Sequence, residues 1–237
     1  MLESSAQPSG NPGSGYWLNF SPNPLDVLHD FCGAHAIGGA VCPNCNKPFT
    51  RLLSLYAKDR RLSFDATRHS VVHLLYCWTC SIPFGDFSYR VDADGAIEVL
   101  QVPPRQPQSE FGLKGPYDGY TGVFPHLQIA LQALTVEEQN KLLARRSDDF
   151  GDDDADDNLY SARHQVGGHP FINNPASVSC PVCSIEMPLL AAVCDDATGN
   201  DPFGVDPENS FVGNGGVQMV FHFCRACSVM SAYHSCD

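Results

Sequence analysis

The sequence predicts an α+β chain, mainly β, made of two ribbon-like β modules related by internal duplication and joined by a helical segment and an acidic loop. Three observations predict this. A Cys-Pro-x-Cys pair followed by a Cys-x-x-Cys pair occurs twice, as Cys42, Cys45, Cys77 and Cys80, then as Cys180, Cys183, Cys224 and Cys227. Short runs rich in β-branched and aromatic residues flank each pair, as strands leaving and re-entering a turn would. Between the halves lie a leucine-rich stretch and seven aspartates within residues 148–157.

The cysteine spacing points to metal. Two residues between sulfurs let one tight turn aim both thiolates at one centre, and a second such turn closes a tetrahedral shell. Proline suits the first turn because its φ is already set. The pattern predicts two structural Zn2+ ions and zinc-ribbon-like modules. A disulfide framework competes with this, but Cys-x-x-Cys pairs favour a shared metal over separate bridges and nothing in the sequence marks a small secreted scaffold. A redox Cys-x-x-Cys would be expected at a strand-to-helix junction, which the residues after Cys45 and Cys183 do not resemble.

In chain order, residues 1–30 are expected to be a flexible tail, rich in Ser, Pro and Gly at its start and without the apolar core of a secretory signal. Within it, the apolar run 16–20 is expected to pack on the first module, and residues 25–31 to form a short helix. The first module spans 31–102. Strands are expected at 49–56 and 70–76, and a hairpin joins 87–91 to 97–102 around Asp94-Gly95. Residues 103–159 are a linker in which 125–146 reads as helical: Leu127, Leu131 and Leu134 follow i, i+4, i+7 spacing. Thr135 and Glu138 form a capping box that starts a second helix, with Val136, Leu142 and Leu143 on its apolar side. The second module spans 160–237, with strands at 187–193, 216–223 and 229–234.

The halves share more than cysteines. His35-Ala36-Ile37-Gly38-Gly39 matches His164-Gln165-Val166-Gly167-Gly168, and Phe49, Leu52 and Leu55 correspond to Met187, Leu190 and Val193. This shared order suggests one duplicated unit. His35 and His164 are expected to bond the adjoining turns rather than ligate metal, and His73 and His222 to be exposed or hydrogen-bonded. Cys32, Cys194 and Cys236 are expected to be buried structural thiols. In the aspartate-rich stretch, a twelve-residue calcium loop counted from Asp152 lacks the required glycine and closing glutamate, so a solvated acidic loop is expected.

The segment His164 to Pro170, with Cys180, Cys183, Leu189-Leu190, Asp195-Asp196 and Val220 to Cys224, resembles the YwqG-like bacterial family, which is of uncharacterised function. It is also similar to the cysteine-rich module of the programmed cell death protein 2 family. The second resemblance implies a dedicated chaperone of a ribosomal protein. It covers about a third of the chain.

The net charge is −13, and two tetrathiolate zinc sites would move it to about −17. Nucleic-acid binding normally needs a basic footprint, so the charge disfavours it and favours a basic protein partner. No apolar run is long enough to span a membrane, and a cytoplasmic location is expected. Motifs of hydrolases, zinc proteases, P-loop and dinucleotide enzymes, and deaminases are missing. The expected function is therefore non-enzymatic: a zinc-stabilised module that binds or chaperones a basic partner protein. A zinc-ribbon nucleic-acid-binding protein is the alternative, followed by an enzyme without a recognisable motif.

Overall fold

In the computed structural model, the described residues are 14–62, 64, 68–77, 87–102, 123–145, 163–172, 174–194 and 218–235. The tail up to residue 13, Cys80, the 103–122 connection, the aspartate-rich stretch and Cys236 lie outside them. So does the polar stretch 195–217. Eleven strands occur among the described residues: β1 Gly15–Asn19, β2 His29–Phe31, β3 Thr50–Tyr56, β4 Val71–Tyr76, β5 Phe87–Val91, β6 Ile97–Gln101, β7 Leu127–Ala133, β8 Gln165–Gly167, β9 Leu189–Cys194, β10 Gln218–Cys224 and β11 Val229–Ser235. One α-helix, α1, spans Val136–Arg145. Among these residues no helix is long and apolar enough to cross a membrane.

The strands form one antiparallel sheet in the order β4-β3-β2-β7-β1-β8-β9-β10-β11-β5-β6. The sheet curls, bringing β4 against β11, where the Tyr76 hydroxyl meets His234 Nδ1 at 2.7 Å. The Tyr89 hydroxyl of β5 reaches the free side of β4, donating to His73 O at 2.7 Å and accepting from Leu75 N–H at 2.9 Å. Every residue of β4 is consequently buried, which is why its sequence is a near-continuous apolar run instead of an alternating one. The main core draws on both halves, from Phe31, Leu53 and Leu74 to Phe221 and Met230.

β1 joins the two sides. Leu18 lies in this core, with Tyr16 and Phe20 packed against it, while Trp17 faces Leu134 and Leu142 on the other side. The run 16–20 thus packs between β7 and β8. Trp17 Nε1 donates to Glu138 Oε1 at 3.1 Å, tying α1 to the sheet. The capping box holds α1's first turn: Glu138 N–H donates to Thr135 Oγ1 at 3.1 Å and Thr135 N–H to Glu138 Oε2 at 2.7 Å. Leu142 is buried as expected, but Val136 and Leu143 are exposed.

Two helical expectations are corrected. Residues 127–133 form a strand because Leu127, Ile129 and Leu131 also satisfy a period of two and place one face on the core. Flanking strands β2 and β1 then take up β7's backbone groups. Residues 25–31 are not a helix either. Asn23 Oδ1 accepts from Leu25 N–H and Asp26 Oδ2 from Asn23 N–H, closing a turn. Leu25 is exposed, and β2 follows with His29 and Phe31 buried.

Counted from the first cysteine of each Cys-Pro-x-Cys, the halves share a register. Leu53 pairs with Leu74, and Ala191 with Phe221, at equal offsets. Leu52 and Leu190 are each skipped by the ladder, giving a β-bulge at the same place. Phe31 pairs with Leu53 as Val166 pairs with Ala191, which makes His29 the positional counterpart of His164. Both imidazoles accept through Nδ1 from an equivalent backbone amide, Tyr56 N–H at 3.1 Å and Cys194 N–H at 3.2 Å. His35 is therefore not the partner of His164. The matching segment is His29-Asp30-Phe31-Cys32-Gly33, whose Cys32 and Gly33 have positive φ like Gly167 and Gly168. The correspondence ends beyond β4, since β5 pairs with β11 and not with β4.

His29 is fully buried, and its Nε2–H donates to Asp59 Oδ2 at 3.1 Å. Arg61 also binds that carboxylate and donates from Nη1 to Leu131 O at 2.7 Å. Burial alone would raise the Asp59 pKa, but the hydrogen bonds from His29 and Arg61 outweigh it and hold it well below the usual carboxylate range. A carboxyl depressed on folding contributes stability above its unfolded pKa of about 3.9 and loses it as pH falls toward the folded value. Asp59→Asn should therefore cost about 1–3 kcal/mol at pH 7 in urea denaturation. The gap to wild type should narrow steadily below about pH 4; a gap independent of pH would contradict this assignment.

Candidate metal centre

Each Cys-Pro-x-Cys sits in a turn built by its own backbone. Cys42 N–H donates to Lys47 O at 2.9 Å and Asn46 N–H to Cys42 O at 2.8 Å. The second turn repeats both bonds, from Cys180 N–H to Ile185 O at 2.9 Å and from Ser184 N–H to Cys180 O at 2.8 Å. Pro43 and Pro181 occupy the first position of their turns. Asn46 and Ser184 leave them with φ of 56° and 59°. Isolated bridges, Val41 with Pro48 and Ser179 with Glu186, close both turns onto the sheet.

The remaining cysteines arrive from the returning strands. Cys77 follows β4, and Cys224 is the last residue of β10. Two groups result, Cys42 with Cys45 and Cys77, and Cys180 with Cys183, Cys224 and Cys227. The sulfurs within each group lie within 4.8 Å of one another. Seven of the eight expected site residues are thus brought together, and Cys80 lies outside the described residues.

These groups could hold a metal ion, and their dimensions bear on which kind. A tetrahedral centre with metal–sulfur bonds of about 2.3 Å has sulfur–sulfur edges of about 3.8 Å. Cys45 and Cys77 are separated by 3.7 Å, and Cys183 and Cys224 by 3.8 Å. Cys42, Cys77, Cys180 and Cys224 are buried, while Cys45, Cys183 and Cys227 are half-buried. Each group therefore anchors in the core with its outer edge near the surface.

The thiols of the second group perturb one another. The Ile185 backbone N–H lowers the Cys183 pKa. The neighbouring Cys183 sulfur is the largest cause pushing Cys227 up to about 12, followed by burial and Cys224. Burial, then Cys180 and Cys183, raises Cys224. One thiolate is favoured in this group and further ones are resisted, as expected of like charges confined together. A bound cation removes that resistance, so four converging sulfurs fit a divalent, thiolate-preferring metal.

The other expected residues are buried or bonded outside these groups. Cys32 and Cys194 are buried. His35 Nε2–H donates to Phe49 O at 2.7 Å and its Nδ1 accepts from Ile37 N–H at 3.3 Å, so it does bond its turn. His164 bonds β9 instead. His222 is buried and donates through Nδ1–H to Met187 O at 2.9 Å, and His73 is buried beside Ser54. The buried His29–Asp59–Arg61 network escaped sequence reasoning, because no local spacing links residues in different elements.

No match is found for the chain among protein-family profiles, functionally described proteins or solved structures. The chemistry of this centre rests on its residues and their geometry.

Positive φ at a non-glycine residue costs about 1–2 kcal/mol, partly offset by the entropy that glycine loses on folding. Ser184→Gly should therefore stabilise the native protein by about 0.5 kcal/mol in denaturant titration. A loss of stability would show that the serine side chain supports this turn.

Proposed function

We propose that Cys42, Cys45, Cys77 and Cys80 hold one structural Zn2+ and that Cys180, Cys183, Cys224 and Cys227 hold a second. The observation carrying this is the pair of converging cysteine groups, each with a sulfur–sulfur distance close to the edge of a zinc–sulfur tetrahedron. When bound, such an ion supplies folding free energy by cross-linking a turn to a strand end. Four protein sulfurs leave no open position for water or substrate, so these sites build structure instead of catalysing. We further infer that the halves are copies of one unit, two zinc-ribbon-like modules. The common cysteine offsets, the bulges at Leu52 and Leu190 and the amide-bonded His29 and His164 support this.

On this scaffold the chain acts as a non-enzymatic interaction module that binds or chaperones a basic protein. Its net charge of −13 supports that reading: a negative field accelerates encounter with basic partners and opposes nucleic acid. A chaperone role is in line with the resemblance to the programmed cell death protein 2 family.

Protein purified without added metal should carry close to two zinc ions per chain by elemental analysis. Cys42→Ser and Cys180→Ser should each lose about one of them and melt well below wild type, because the metal contributes folding free energy directly. Two variants with full metal and unchanged melting would overturn the ligand assignment. Capture from a native lysate on the full chain should enrich basic proteins that elute as salt is raised, since exposed charges are screened within about 10 Å at 0.1 M. Retention of nucleic acid alone would favour the zinc-ribbon alternative.

A further inference from the structure

The paired strands of the two halves differ in polarity at two cross-strand pairs, and in the second half His222 stands where the first has Leu75. Where the second half pairs Ala192 with Val220, the first pairs Ser54 with His73. Three residues before Ser54, Arg51 stands where the second half has Leu189. Three apolar positions of one half are thus polar in the other, on strands that are otherwise in register. Arg51 and His73 line a cleft of about 480 Å³ together with His35, Gly38, Asp94 and Gly95.

His73 is only 9% exposed. Its Nδ1 is bonded to Ser54 Oγ at 2.8 Å, and Nε2 has no hydrogen-bond partner among the described residues. Gly95 keeps Nε2 uncovered: its φ is +88°, and a Cβ there would lie 2.9 Å from that nitrogen. The nitrogen of this mostly buried side chain thus opens into the cleft, where a ligand can reach it.

Arg51 supplies the charge. Its Nε donates to Cys32 O at 2.8 Å, but its nearest carboxylate contact is Asp30 at 3.9 Å, beyond hydrogen-bonding distance. Asp30 already accepts from the Tyr56 hydroxyl and faces His126 Nε2 at 2.9 Å. Both nitrogens of His35 are engaged by backbone groups. Asp94 is exposed on the hairpin. An under-paired guanidinium beside a free imidazole nitrogen favours an anion over a cation.

We propose that this cleft binds the oxyanion of a small molecule, a carboxylate or a phosphate, between the Arg51 guanidinium and His73 Nε2–H. Ser54 Oγ–H donates to Nδ1 and so selects the imidazole tautomer that presents Nε2–H to the ligand. Without a ligand, burial first, then the charges of Arg51 and His35, hold the His73 pKa down to about 4. A bound anion stabilises the charged imidazole, so binding raises that pKa.

The full chain, labelled with nitrogen-15, is titrated with inorganic phosphate and separately with acetate, holding ionic strength constant with chloride. Histidine ring signals and the Gly95 and Ala96 amides are followed by NMR. A saturable change at His73 Nε2 with an upward shift of its pKa is expected for at least one anion, and the tighter of the two identifies the class. His73→Val, which installs the second half's residue, should weaken binding roughly tenfold or more. A wild-type response that stays linear and matches chloride for both anions overturns the proposal, whether or not the variant folds. Unchanged affinity in a folded His73→Val protein overturns it as well.

Discussion

The register between paired strands is the constraint on which this molecule depends. In β9–β10 and in β3–β4 a single bulge, at Leu190 and at Leu52, sets how far the returning strand advances before it meets the Cys-Pro-x-Cys turn. Side chains alternate faces along a strand, so a slip of one residue would turn Cys224 or Cys77 away from its group and expose a core face. The bulge, the turn and the strand end act together. Met219, Phe221 and Phe223 pack in the main core while Val220 and Cys224 pack around the second cysteine group.

Around this register, the first four strands on either side of the β7–β1 junction are β7, β2, β3 and β4 outward on one and β1, β8, β9 and β10 outward on the other, the latter continued by β11, β5 and β6. β1, which precedes the first cysteine group in sequence, borders β8, and β7, which precedes the second group, borders β2. One core serves both halves. The halves diverge where β5 and β6 extend past β11 and where Arg51, Ser54 and His73 replace apolar residues. A shared framework with these differences allows one half to take on a ligand without disturbing the register that the other also uses.

Much of this was legible in the sequence. The Cys-x-x-Cys pairs announce themselves because turn geometry links their sulfurs locally, and β4 and β10 are legible as short, mostly apolar runs that lead into Cys77 and Cys224. Leu127 to Ala133 misled because its leucines fit both periods, and only pairing with β2 and β1 selects the strand. His35, by its paired glycines, drew the comparison of the halves to a segment out of register with His164. The residue in the matching register, His29, is followed by Cys32 where the second half has Gly167, and a positive φ is visible only in three dimensions. The Asp59 network and the Arg51–His73 cleft join residues from separate elements, which no one-dimensional pattern reports.

In the proposed function both cysteine groups close around zinc with sulfur alone. X-ray absorption at the zinc edge on the native protein tests it most directly. Four sulfur scatterers per zinc at about 2.3 Å, with no nitrogen or oxygen, are predicted. A nitrogen or oxygen neighbour in the average shell would mean that at least one site is open or uses histidine, and would contradict the closed structural role assigned to it.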